Sequence, residues 1–192
     1  MPLINRPAGT VGEAYAIEEL RVEDREQARD LAREEAIERA IEGNVATNRS
    51  ALTVHNIRPD ADLNFGAVAY EQWLTGALVA AAINTPVNDV LLDVKKTLVI
   101  YGGFINEPNP SAGEILFRQN AGGSLPLLFV NVQPIRSNLV NKWIMSEMVA
   151  YDPQDIMNIQ FMPTITDAAG QVMGFLGWVA EPKGRPFLGP SL

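Results

Sequence analysis

From Thr97 to Val179 the chain repeats one unit: a short apolar run, then a cluster of turn formers. The runs are Thr97–Tyr101, Glu114–Arg118, Leu127–Asn131, Val140–Val149, Ile156–Met162 and Gln171–Val179. Between them stand Asn106–Ser111, Asn120–Ser124, Asp152-Pro153 and Asp167–Gly170, all rich in Asn, Asp, Gly, Pro or Ser. Runs of this length bounded by such residues are strands, because Gly, Pro and Asn supply the backbone angles that reverse a chain. With Ala51–His55 they make seven strands. Turns at this spacing predict a mainly β chain, an antiparallel sandwich or jelly-roll-like domain.

Two segments break the pattern. The most apolar window, Trp73 to Ile83, is far shorter than the about 20 residues a spanning helix needs. Apolar nearly all round and closed by Asn84-Thr85-Pro86, it predicts a buried helix at about 67–83. Of the 32 residues from Gly12 to Gly43, 16 are charged: five Arg and eleven Asp or Glu. That segment carries net −6 of the chain's −8. It predicts one long helix, opened by a capping box at Thr10-Val11-Gly12-Glu13 and stopped by a left-handed Gly43. Arg21, Arg25, Arg29 and Arg33 recur every four residues beside a row of acids, giving pairs such as Glu26–Arg29, Asp30–Arg33 and Glu35–Arg39. The apolar set on this helix is thin, which predicts a surface helix or one that reaches a neighbouring subunit. Its Arg row is a candidate docking strip.

The expected organisation is an N-terminal arm (1–11), the charged helix (12–43), a linker (44–50), the β domain with its buried helix (51–180) and a Pro-rich C-terminal arm (181–192). Pro182, Pro186 and Pro190 keep that arm out of a sheet interior. Phe187, Leu188 and Leu192 give it apolar side chains to dock on its own core or on a neighbour. Met1 to Pro7 lacks the apolar core of a signal peptide, so secretion by that route is not expected.

Composition removes several kinds of chemistry. Without Cys there is no disulfide framework, thiol nucleophile or thiolate metal site. The single His, His55, has no nucleophile motif to serve and reads as structural. A net charge of −8 argues against nucleic-acid binding, which needs a positive surface. Gly102-Gly103 and Gly122-Gly123 lack phosphate-loop spacing and read as bends. One metal pattern stands out. Asp60, Asp62 and Asn64 alternate, with Glu71 at the twelfth position, as in a calcium loop. Phe65 occupies the place where such a loop turns on Gly. The carboxylates Glu107, Glu114, Glu147, Asp152, Asp155 and Asp167 are scattered, with nothing to select a catalytic pair.

No catalytic residues, metal or cofactor are therefore expected. In the combination of terminal arms with a sandwich pattern over Thr97 to Pro182, the chain resembles bacteriophage head proteins, either decoration (cement) proteins or jelly-roll capsid proteins. The resemblance carries no motif, so no residue roles come with it. It implies a non-enzymatic subunit of a multi-copy virion shell, whose partners are itself or a shell protein, with no nucleic acid or membrane. Outside a virion, a cytoplasmic location is expected. The second reading is a carbohydrate- or ligand-binding module using Tyr101, Trp143, Tyr151 or Trp178 as stacking platforms. The third is a polysaccharide hydrolase or lyase.

Overall fold

The computed structural model describes residues 10–63, 67–69, 72–106, 112–132, 135 and 141–184. Its strands are β1 (Thr10–Ala16), β2 (Leu52–Asn56), β3 (Ala67–Ala69), β4 (Gln72–Leu74), β5 (Asn84–Leu91), β6 (Thr97–Ile105), β7 (Ala112–Gln119), β8 (Leu125–Asn131), β9 (Asn141–Tyr151), β10 (Ile156–Pro163) and β11 (Val172–Pro182). The helices are α1 (Val22–Glu42) and the single turn α2 (Pro59–Asp62). All seven expected strands are present, and the chain is a mainly β, sandwich-like α+β fold with one long helix.

The strands bond in the order β3-β4-β11-β6-β9-β1-β8-β7-β10-β5, with β2 joining β11 beside β4. The sheet curls back on itself, so its two halves face each other across a core of Leu98, Ile100, Phe117, Trp143, Ile159 and Phe175 with their neighbours. A second core lies on the outer face of the β6–β9–β11 half, where Ala28, Ala32, Ala36, Ile37 and Ala40 of α1 meet Val99, Tyr101, Ile144 and Ala180. β6 is buried along its whole length because both faces are covered, which explains its unbroken apolar run. A Cβ at Gly102 would come 2.3 Å from the Trp143 carbonyl oxygen, so the backbones approach too closely for any side chain. The ladder to β9 is irregular at this point, as expected of a bend.

Four expectations are corrected. Thr10–Ala16 is a strand, not a helix start; α1 begins at Val22, and Arg21 before it caps through no side chain. Pairing with two neighbours outweighs the local preference for helix. At the other end Gly43 has φ −75, and Asn44 takes the left-handed turn at φ 57. The buried helix at 67–83 is replaced by β3, β4 and a loop. Gly76 (φ 73) and Ala81 (φ 60) break helical geometry there, and Leu78 instead bridges to Asp167. The sheet is also not wholly antiparallel, since β1 runs parallel to β8.

α1 packs on its own domain instead of reaching away. A four-residue row of alanines brings its axis close to the sheet. The small alanine side chains let the helix approach Val99, Tyr101, Ile144 and Ala180 of the sheet. The Thr97 hydroxyl donates to the Ala36 carbonyl at 2.9 Å, and the Trp178 indole to the Arg29 carbonyl at 3.0 Å. Ala36→Leu should therefore cost about 1–3 kcal/mol by overpacking. The urea midpoint should fall with no change in slope, and an unchanged midpoint would mean the helix is not seated on β6.

Candidate functional site

β1 changes partners half-way along. Thr10–Glu13 pair with Leu128–Asn131 of β8, and Ala14–Ala16 pair with Met145–Trp143 of β9. At the crossing the Glu13 amide donates to the Ser146 hydroxyl at 2.9 Å, replacing a ladder bond. This strand joins the two halves of the sheet. Behind it lies a cavity of about 180 Å³ between Leu127–Leu128 of β8 and Glu147–Ala150 of β9. Arg39, Asp152 and Asp155 also line it. The Arg39 Nη1 donates to both carboxylate oxygens of Asp152 (3.1 and 3.0 Å), and its Nε donates to Glu35 at 2.6 Å. The Asp152 amide donates to Asp155 at 2.7 Å. Three of the scattered carboxylates, Glu147, Asp152 and Asp155, thus share one cleft with one arginine.

A second polar cluster lies between β2, α2 and β11. The Asp62 side chain is fully buried. It accepts from Lys96 Nζ at 2.6 Å, from Arg58 Nε and Nη2 at 3.2 Å each, and from the Arg58 amide at 2.8 Å. Burial pushes its pKa up, but the bonds from Arg58 and the charge of Lys96 outweigh this and hold it below the ordinary carboxylate value. Glu181 lies 3.5 Å from Arg58, 3.8 Å from Lys96 and 3.3 Å from His55 Nε2. His55 Nδ1 is 2.7 Å from the Asn56 carbonyl and donates to it. Two cations and two carboxylates balance here, so the structural reading of His55 fits its surroundings.

Of the calcium pattern, Asp60 and Asp62 are among the described residues, and both are engaged elsewhere. Both oxygens of Asp62 are committed to Arg58 and Lys96, and Asp60 accepts from the Ala61 amide at 2.9 Å. Asn64 and Glu71 lie outside the described residues. Among the described residues no group of three or more His, Asp or Glu is placed to hold a metal ion.

The arginine row is not a free strip. Arg21 pairs with Asp24 and Arg29 with Asp30, both at 3.1 Å, and Arg33 lies 3.8 Å from Glu34. Arg25 turns back to donate twice to the Leu20 carbonyl, at 3.1 and 2.9 Å. Of the expected pairs Glu35–Arg39 forms, while Arg29 and Arg33 choose acids adjacent in sequence.

Phe187, Leu188 and Leu192 lie outside the described residues. The boundary before them moves, because β11 runs to Pro182 and the Lys183 amide still donates to the Ala51 carbonyl at 2.8 Å. Tyr101, Trp143 and Tyr151 are buried, so three of the four suggested stacking platforms belong to the core. Tyr151 donates to the Arg118 carbonyl at 3.1 Å, and burial holds its phenol well above the ordinary value.

Sequence reasoning missed both clusters. One trace was available: Arg58 and Asp62 are four residues apart. Lys96 and Glu181 arrive only through the tertiary fold. Compared with known protein families, curated proteins and solved structures, the chain matches none. No described helix is long and apolar enough to cross a membrane.

Proposed function

We propose that the protein is a non-enzymatic structural subunit of a multi-copy assembly, of the kind that builds or decorates a virion head. The observation that carries this reading is an exposed apolar corner. Leu74, Val79, Ile83 and Ile165 are 49%, 52%, 62% and 52% exposed. The Leu78–Asp167 bridge, the bond from the Ala81 amide to the Pro163 carbonyl (2.9 Å) and that from the Ala80 amide to the Thr166 hydroxyl (3.1 Å) hold the two segments together. The most apolar window of the chain is thus spent largely on the surface. Clustered exposure of this kind marks a surface that meets another protein. The cluster around Asp62 supports the same reading, since its two cations and two carboxylates are matched to one another and so serve the fold.

The pair Val79→Asp with Ile83→Asp tests it. Both side chains are exposed, so folding should survive with little change in melting temperature. Light scattering should show the intact chain self-associated, or occupying a shell lattice when mixed with it, and the double variant monomeric and unbound. An intact chain that stays monomeric and leaves shell particles bare would refute the reading. A variant that associates as well as the intact chain would remove this corner from the contact. Residues 181–184 belong to the folded domain rather than to the C-terminal arm, because Glu181 joins the charge cluster and the Lys183 amide bonds the Ala51 carbonyl.

A further inference from the structure

β9 passes to β10 through Asp152-Pro153-Gln154-Asp155. The Asp155 amide donates to the Asp152 carbonyl at 3.1 Å, and Gln154 has φ 71. With Pro153 second in the turn, this is a type II turn, whose third residue is ordinarily Gly because positive φ strains a side chain. Two backbone bonds fasten it to Leu92, just past β5. The Gln154 amide donates to the Leu92 carbonyl at 3.2 Å, and the Leu92 amide to the Asp155 carbonyl at 2.8 Å.

The turn contains the single Asp-Pro bond of the chain. Two chemical features make such a bond easier to break than its neighbours. The aspartate carboxylate can close a five-membered ring on its own main-chain carbonyl carbon. The proline nitrogen belongs to a tertiary amide and leaves as a secondary amine.

We propose that Asp152–Pro153 is a self-cleavage site and that Arg39 is its brake. An oxygen of the Asp152 carboxylate attacks the Asp152 carbonyl carbon. A C–O bond forms, the C–N bond to Pro153 breaks, and the nitrogen leaves with a proton taken from a solvent hydronium ion. The resulting cyclic anhydride adds one water and opens to the α-carboxyl and side-chain carboxyl groups of Asp152. The sum is hydrolysis of one peptide bond by one water.

The fold prepares this step in four ways. The Asp155 amide already points at the oxygen on which negative charge develops, as a fixed donor does in acyl transfer. Breaking the bond frees Gln154 from its left-handed conformation. The turn stands between cavities of about 180 and 400 Å³, the first lined by Asp152 and Asp155 and the second by Asp152, Pro153 and Gln154, so water reaches it from both sides. Glu147 from β9 and Glu42 from α1 line the same cavities, and their negative charge favours a protonated leaving nitrogen. Against these stands Arg39, whose Nη1 holds both Asp152 oxygens at 3.1 and 3.0 Å while Glu35 fixes its Nε at 2.6 Å. That charge-assisted pair must open before either oxygen can turn to the carbonyl carbon.

Cleavage leaves the pieces together. β10 remains paired with β5 and β7, and β11 with β2, β4 and β6. The product is a nicked domain with a new amino terminus at Pro153. The inference is independent of the assembly reading.

The full-length natural protein and Arg39→Gln, both folded in mildly acidic buffer, are followed by mass spectrometry under denaturing conditions. Fragments 1–152 and 153–192 should appear at least about tenfold faster in the variant, the factor expected when a bond between charged groups is lost. Asp152→Glu added to Arg39→Gln keeps a carboxylate but enlarges the ring, and should stop the reaction. Arg39→Gln unfolded in urea should cleave at least about tenfold more slowly than the same variant folded, because the fixed donor of the turn is gone. Equal rates with and without Arg39 would overturn the proposal, and so would a folded variant no faster than the unfolded one. Gln154→Gly in the natural chain suits the backbone of the turn and gives a second reading that does not risk the fold. It relieves the strain and should slow cleavage about threefold or more. An equal or faster rate in this variant, or breakage at other bonds first, would also overturn the proposal.

Discussion

Asp62→Ala should remove about 3–5 kcal/mol of unfolding free energy, the usual cost of taking one partner from a buried charge cluster. The side chain is fully buried and receives bonds from Lys96 (2.6 Å) and from the Arg58 guanidinium (3.2 Å). Without it, two buried cations share the single carboxylate of Glu181, at 3.5 and 3.8 Å. The same interaction makes stability depend on pH. Asp62 has a lower pKa in the folded protein than in an unfolded chain. Its contribution is therefore complete above the ordinary carboxylate range and is lost as pH falls through the lowered native value. Urea midpoints of the natural protein and the variant should differ widely at about pH 7 and draw together as pH falls below the ordinary carboxylate range. A constant gap across that range would mean that the charge on Asp62 contributes nothing and that only its volume matters.

The strands from β6 to β11 were legible because each satisfies a local rule. β6 is apolar throughout since both faces are covered, and β9 and β11 alternate where one face meets a less crowded layer. β1 was not legible. Thr10–Ala16 reads TVGEAYA, a sequence that local rules continue into the helix after it. Its strand state comes from β8 and β9, which lie more than a hundred residues away. The same holds for α1. Its apolar stripe is made of alanines, which score weakly as a hydrophobic face, yet their small volume is what lets the helix seat on β6 and β11. Of the two expectations, a surface helix or one that reaches a neighbour, the structure shows the first: α1 lies on the outer face of its own domain with only Ala28, Ala32, Ala36, Ile37 and Ala40 buried.

The clusters of charged groups follow the same logic. Arg58 and Asp62 are one helical turn apart and could be paired from sequence alone. Lys96 precedes β6, and Glu181 lies near the end of β11, so their meeting requires the β6–β11 ladder. The calcium pattern shows the same dependence on the tertiary fold. Alternating acids satisfy a spacing rule, but spacing does not show that Lys96 and Arg58 already hold one of them. Glu147, Asp152 and Asp155 are near in sequence and do share a cleft. What the sequence lacked was Arg39, brought there by the C-terminal half of α1.

Trp73→Ala should rank beside Asp62→Ala, at about 3–5 kcal/mol. Trp73 lies in the window expected to form a buried helix, and the structure keeps its burial while changing its secondary structure. In β4 it pairs with Met173 of β11 and Ala67 of β3. Its ring stacks on Phe161 of β10, with centroids 5.9 Å apart and planes 23° apart, and tilts against Phe175 of β11 at 6.3 Å. Phe175 in turn meets Phe117 of β7 edge-on at 5.8 Å. β10 and β7 belong to one half of the curled sheet, β4 and β11 to the other, so this aromatic chain clamps the two halves together. Alanine would leave a void that the paired strands cannot collapse to fill. Trp73→Phe keeps a ring within reach of Phe161 and should recover about half of the loss. Loss of the clamp should also loosen both halves together, so amide exchange should accelerate in β10 as well as in β4 and β11. If exchange rises only around β4, or if alanine and phenylalanine cost the same, the contacts with Phe161 and Phe175 are not what joins the halves. The corner carrying Val79 and Ile83 would then have to be held by its backbone bonds to Pro163 and Asp167 alone.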